Sequence, residues 1–178
     1  MLKWLTKHKF WRDTRGVSAI EFALIFPFQI MLVLGTVEIS SLMIADRKLV
    51  AATSTTADLF AQVKTVSTSD VADIFQAGKL VMQPLATNTL SFVVSSITAD
   101  AGGVTRVTWS DGSGTAPLTP GSTYALPPGL IAPNQSIILV QSKYQYVSAF
   151  GRFIIAPIDL TDRFFLSPRR SISVARIP

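Results

Sequence analysis

The chain has 178 residues, 48% of them hydrophobic and 15% charged, with one histidine, no cysteine and a formal net charge of +5. That length allows one membrane segment and a single small domain with a modest core. The missing cysteine excludes disulfides, zinc–thiolate sites and cysteine nucleophiles, and the lone His8 stands too near the N-terminus to serve a serine–histidine or metal–histidine site in that domain.

Residues 1–16 hold Lys3, Lys7, Lys9, Arg12 and Arg15 against Asp13, which is +4 of the net charge. The other 162 residues carry 11 positive and 10 negative side chains, so the high pI belongs to this leader. Nucleic-acid binding needs a basic patch on a folded face, which the remaining sequence does not supply, and no nucleic-acid partner is expected.

From Phe22 to Val37 the chain runs apolar, with Glu21 just before and Glu38 just after as its only glutamates. Seventeen residues of helix between them span about 26 Å, close to the ~30 Å hydrocarbon core of a bilayer, so each carboxylate can reach an interface. The stretch 17–45 therefore reads as a transmembrane helix in membrane lipid. The positive-inside rule holds the basic leader in the cytoplasm, with Trp4 and Trp11 suited to the headgroup layer, and places 46–178 in the periplasm.

A cleaved secretory signal has an apolar region of about 7 to 15 residues before a small-x-small site. Here the run is longer, and Met43-Ile44-Ala45 puts a methionine where a small residue is needed, so a retained anchor fits better. Pro27 frees a backbone carbonyl and is expected to bend the helix, which membrane helices tolerate. Ala19 and Ala23, four apart, allow close helix approach.

Beyond the membrane, Leu49, Val50, Leu59, Phe60, Val63 and Val66 recur near the helical period and extend the helix through 46–66, although Thr53-Ser54-Thr55-Thr56 compete with the helical backbone. Ser67-Thr68-Ser69-Asp70 caps a second helix carrying Val71, Ile74 and Phe75 until Pro84. Leu90, Phe92 and Val94, then Thr105, Val107 and Trp109, alternate on either side of the turn Asp100-Ala101-Gly102-Gly103 and predict a hairpin. Residues 110–135, rich in Gly, Pro, Ser and Thr, read as a long loop that is either a binding element or passive surface. Ile137 to Val147 predicts a strand with Ile138, Val140, Tyr144 and Tyr146 on one face, and 150–155 and 172–176 are further candidates. Helix first and antiparallel strands after is an α+β order.

Chemistry-bearing constellations are sparse. Asp58, Asp70, Asp73, Asp100, Asp111, Asp159 and Asp162 follow no calcium-loop spacing, and Gly112-Ser113-Gly114 lacks the remaining positions of a phosphate loop. No catalytic residue, metal site or cofactor is expected, and the chain is not expected to be an enzyme.

The detail around Gly16 narrows the reading. A glycine closing a charged leader, then Val17-Ser18-Ala19-Ile20, then Glu21 inside an apolar helix, is similar to the processing site of type IV prepilins. The wider pattern Arg15-Gly16-x-x-Ala19-Ile20-Glu21-Phe22-Ala23-Leu24-x-x-Pro27, followed by Gly35-x-x-Glu38, resembles the TadE-like minor pseudopilins (TadE and TadF) of the tight-adherence (Flp) pilus. The segments Ala57 to Gln62, Val107 to Ser110, Leu126-Pro127, Tyr144 to Tyr146 and Ser167 to Arg169 resemble that family too, whereas Thr53 to Asp58 departs from the alanine-rich stretch many relatives carry.

The resemblance implies a pilin architecture, a long N-terminal helix half in the membrane and half laid on a small sheet. It implies cleavage by a prepilin peptidase between Gly16 and Val17, and partners among other pilins, pseudopilins and the inner-membrane assembly platform. Glu21, fifth in the mature chain, would pair with the α-ammonium of an adjacent subunit and set axial register; the plainer alternative is that it only reaches the headgroups, as Glu38 is expected to do. Pro27 would be a weak point as well as a bend. The alternatives to a minor pilin or pseudopilin are an uncleaved, signal-anchored periplasmic binding module and a membrane-tethered enzyme.

Overall fold

The computed structural model describes residues 16–148 and 156–178; the leader before Gly16, with Trp4, His8 and Trp11, and the strand expected at 150–155 lie outside the described residues. The chain divides into two units, Met1–Ser41 and Leu42–Pro178. The elements run α1 (Val17–Gln62), β1 (Thr65–Val66), α2 (Thr68–Val81), β2 (Ser91–Ala99), β3 (Thr105–Ser113), β4 (Ser136–Tyr146), β5 (Ile158–Leu166) and β6 (Ala175–Arg176). A long apolar helix followed by an antiparallel sheet is the α+β order read from the sequence.

In the first unit α1 passes through Pro27 without a break, and every residue from Val17 to Val33 is exposed. In the second unit α1 buries Ala45, Leu49, Ala52, Thr53, Thr56 and Phe60, spaced three and four apart, while the expected stripe member Val50 faces out. The threonines do not break the helix because their hydroxyls bond within it: Thr53 Oγ1 donates to Leu49 O at 2.8 Å and Thr56 Oγ1 to Ala52 O at 2.7 Å. The helix ends at Gln62, earlier than expected. Thr65–Val66 instead pairs in parallel with Ala175–Arg176, and this tertiary pairing overrides the helical pattern at Val66.

Ser67 caps α2 in a reciprocal box with Asp70. Hydrogen bonds from the Ser67 side chain and backbone hold the Asp70 carboxyl below its ordinary pKa. Gly78 marks where α2 meets α1: a Cβ there would lie 2.3 Å from Thr56 Oγ1 and 3.2 Å from the Phe92 ring. Gly→Ala inside a helix ordinarily gains up to ~1 kcal/mol, but overpacking against a pinned threonine costs about 1–3 kcal/mol. Gly78→Ala should therefore lower the urea midpoint of the purified chain, the opposite of the usual sign.

The main sheet has the order β3-β2-β4-β5, antiparallel throughout, with an irregularity at Ser96/Ile97. Along β4, Ile138 and Val140 join the main core while Ile137 and Leu139 join a second cluster, so the two sets face opposite sides of the sheet. The main core lies on the side covered by α1 and α2. There Phe60 meets Phe75 at 5.8 Å and Trp109 at 6.4 Å, and Phe75 stacks on Phe92 at 5.9 Å.

On the other side, residues 114–135 fold as a flap that lays Leu118, Tyr124, Leu126 and Ile131 on Ile97, Val107, Ile137 and Leu139. The stretch 110–135 expected as loop is thus β3 as far as Ser113 and then a packed flap. β3 turns into it at Gly112, where a Cβ would stand 2.3 Å from Thr115 O.

The C-terminal segment clasps these elements together. Arg169 pairs with Asp58 at 2.6 Å while its backbone N–H donates to Ala61 O, and Trp109 Nε1 donates to Val174 O at 2.7 Å. Arg176 reaches Asp111 at 2.8 Å and Thr68 at 2.9 Å. Of the strand expected over 172–176, only Ala175–Arg176 is extended and paired.

Candidate functional site

Gly16, Val17, Glu21 and Pro27 lie on one exposed stretch of helix, the first at its foot and the last within it. A Cβ on Gly16 would meet nothing within 4 Å, and its φ is not in the left-handed region. The fold itself makes no demand for glycine there. Val17 and Glu21 are one turn apart and share a helix face. None of the three ion pairs among the described residues, Lys143–Asp159, Arg169–Asp58 and Arg176–Asp111, involves Glu21.

Above Glu21 the surface is almost wholly hydrocarbon: Phe22, Leu24, Ile25, Phe26, Phe28, Met31 and Leu32 are exposed, and Phe22 and Phe26 are in ring contact at 5.2 Å. An apolar surface of this length has only lipid or another apolar helix as a stable neighbour. The hydroxyl side chains toward its end are satisfied inside the helix. Thr36 Oγ1 donates to Leu32 O, Ser40 Oγ to Thr36 O and Ser41 Oγ to Val37 O, at 2.8, 2.8 and 2.9 Å, so no hydroxyl donor is left bare to hydrocarbon.

Glu38 departs from the expectation that it reaches the headgroups. Its side chain is 0% exposed, and among the described residues neither carboxylate oxygen has a hydrogen-bond partner. An acid buried this way costs stability, which marks Glu38 as a candidate functional residue that the sequence reading treated as a plain interfacial group. Its only sequence signal was its place in Gly35-x-x-Glu38.

Residues 16–58 match the family model described as TadE-like protein. Over this segment the chain is similar to the TadE-like family. The match covers Gly16, Glu21, Pro27, Gly35 and Glu38, and it implies involvement in the Tad pilus alongside other pilus components. The single N-terminal apolar helix fits membrane anchoring. No curated protein and no solved structure matches the chain.

The segments beyond residue 58 that resemble the family lie outside the matched range, yet most sit at packing contacts. Asp58 and Arg169 form one ion pair, Trp109 bonds the C-terminal segment, Leu126 lies in the flap contact, and Tyr144 and Tyr146 line the main core. Among the described residues no three metal-ligating side chains converge.

Proposed function

We propose that the chain is a minor pilin or pseudopilin of a Tad (Flp, type IV-like) pilus and acts by assembly rather than by catalysis. It is inserted in the inner membrane by α1 with its leader in the cytoplasm and its sheet domain in the periplasm. A prepilin peptidase cuts between Gly16 and Val17, and the freed helix joins other pilins and pseudopilins at the assembly platform. The observation that carries this reading is the junction itself: a glycine the fold does not need, followed at once by an exposed apolar helix containing an acid with no ion pair among the described residues. Pro27 is the point where that helix bends or loosens on leaving lipid.

Glu21 sets register. A carboxylate at the edge of hydrocarbon is expensive unless paired, and cleavage creates an α-ammonium on Val17 that an adjacent subunit's Glu21 neutralises. The test is Glu21→Gln beside Glu38→Gln, scoring membrane level, cleavage and crosslinking to other pilins. Glu21→Gln inserts normally and loses its partner crosslinks; Glu38→Gln replaces a buried acid and keeps them. Unimpaired crosslinking in both variants rejects the register role.

A further inference from the structure

The two edges of the main sheet are treated differently. Along β3 the flap supplies partners: Val107 N–H donates to Ser122 O at 2.9 Å, Gly121 N–H to Val107 O at 2.7 Å and Tyr124 N–H to Thr105 O at 3.1 Å, with a bridge between Arg106 and Thr123. β5 is paired only with β4, and among the described residues no backbone group on its other edge is hydrogen-bonded. Nine residues of open edge are a template for another strand.

Charges on an edge strand usually discourage such pairing, so what matters is which strand these charges accept. On β5, Asp159, Thr161 and Arg163 are exposed on one face, and Leu160, Asp162 and Phe164 lie on the other. An antiparallel pair of two β5 strands centred on Asp162 sets aspartates opposite each other, and one centred on Arg163 opposes two guanidiniums. Centred on Leu160, it overlaps only Ile158 to Asp162. Centred on Thr161, the pair overlaps from Ile158 to Phe164 and sets Asp159 opposite Arg163 of the second copy at both ends, opposite charges facing as stable cross-strand pairs require. On the other face the same register brings Ile158 against Phe164 of the second copy.

From this we infer that β5 pairs with β5 of a second copy of this chain, in antiparallel register about Thr161, joining two four-stranded sheets into one of eight strands. Asp159 already accepts from Lys143 at 2.7 Å, which holds its carboxyl below its ordinary pKa, and from Gln145 at 3.2 Å, so it is fixed and ionised to receive Arg163. Arg163 is exposed, with no ion pair among the described residues.

The chain's lack of cysteine makes the register directly readable. Residues directly opposite in antiparallel strands have Cα atoms about 4.5–5.5 Å apart, within disulfide reach. Thr161→Cys in the full chain, oxidised in native membranes, is expected to give a disulfide-linked dimer at least tenfold above Thr119→Cys on the flap. Adding Arg163→Glu should cut that yield at least fivefold with an unchanged circular dichroism spectrum, while adding Arg163→Lys should retain it. A Thr161→Cys yield no higher than that of Thr119→Cys overturns the pairing, and so does indifference to Arg163→Glu. A disulfide to a different protein overturns the second copy as occupant. The crosslink forms whether or not the leader is cleaved, so its failure leaves the pilin reading standing.

Discussion

Phe60→Ala is expected to remove about 3–5 kcal/mol of stability, the usual cost of truncating a fully buried phenylalanine. Phe60 is 0% exposed and is the ring through which the end of α1 touches both α2, at Phe75, and the sheet, at Trp109. Small domains hold only about 5–15 kcal/mol in total, so the loss takes a large part of the margin. Collapse into the gap is limited because Phe75 is itself stacked on Phe92, and Trp109 is tied to Val174 O. Urea unfolding of the full chain in detergent, followed by tryptophan fluorescence, reads the change. Phe28→Ala is the matched control: Phe28 is 74% exposed, so its truncation should leave the midpoint unchanged while weakening membrane retention. Equal midpoints for wild type and Phe60→Ala would mean that the aromatic cluster does not hold α1 to the sheet.

What could be read from the sequence follows from how regular each element is. The apolar run of α1, the cap at Ser67, the alternation in β2 and the one-sided pattern of β4 each carry a period or a turn signal strong enough to survive folding, whereas in β3 the irregularity opposite Ser96/Ile97 breaks the expected alternation and sends Val107 and Trp109 to opposite faces of the sheet. β5 was missed because Asp162 falls on the same face as Leu160 and Phe164 and interrupts the alternation that Ile158 and Leu160 begin. β1 and β6 are two residues each, too short to show any period, and exist through their pairing with each other. The flap residues Leu118, Tyr124, Leu126 and Ile131 are scattered among Gly, Pro, Ser and Thr, so their shared contact arises only once the sheet gives them a surface.

The candidate site divides in the same way. Gly16, Val17, Glu21 and Pro27 follow from motif spacing because the roles proposed for them are exerted against things outside the chain. The burial of Glu38 depends on the folded chain, and no local pattern announces it.

Replacing Gly16 should have an all-or-none effect on processing. With no Cβ contact within 4 Å and no left-handed φ, Gly16→Val leaves the helix and the domain as they are, so any loss of cleavage comes from the enzyme that must close around the bond. In wild type the proposed cut would remove residues 1–16 and their net charge of +4 in one step, leaving a nearly neutral chain that begins with an apolar helix. The direct measurement is N-terminal sequencing and intact mass of the protein extracted from membranes of cells that carry a prepilin peptidase. A mature chain beginning at Val17, with Gly16→Val retaining Met1, is the predicted result; wild-type protein that keeps Met1 in those cells would contradict the pilin reading and favour an uncleaved membrane anchor.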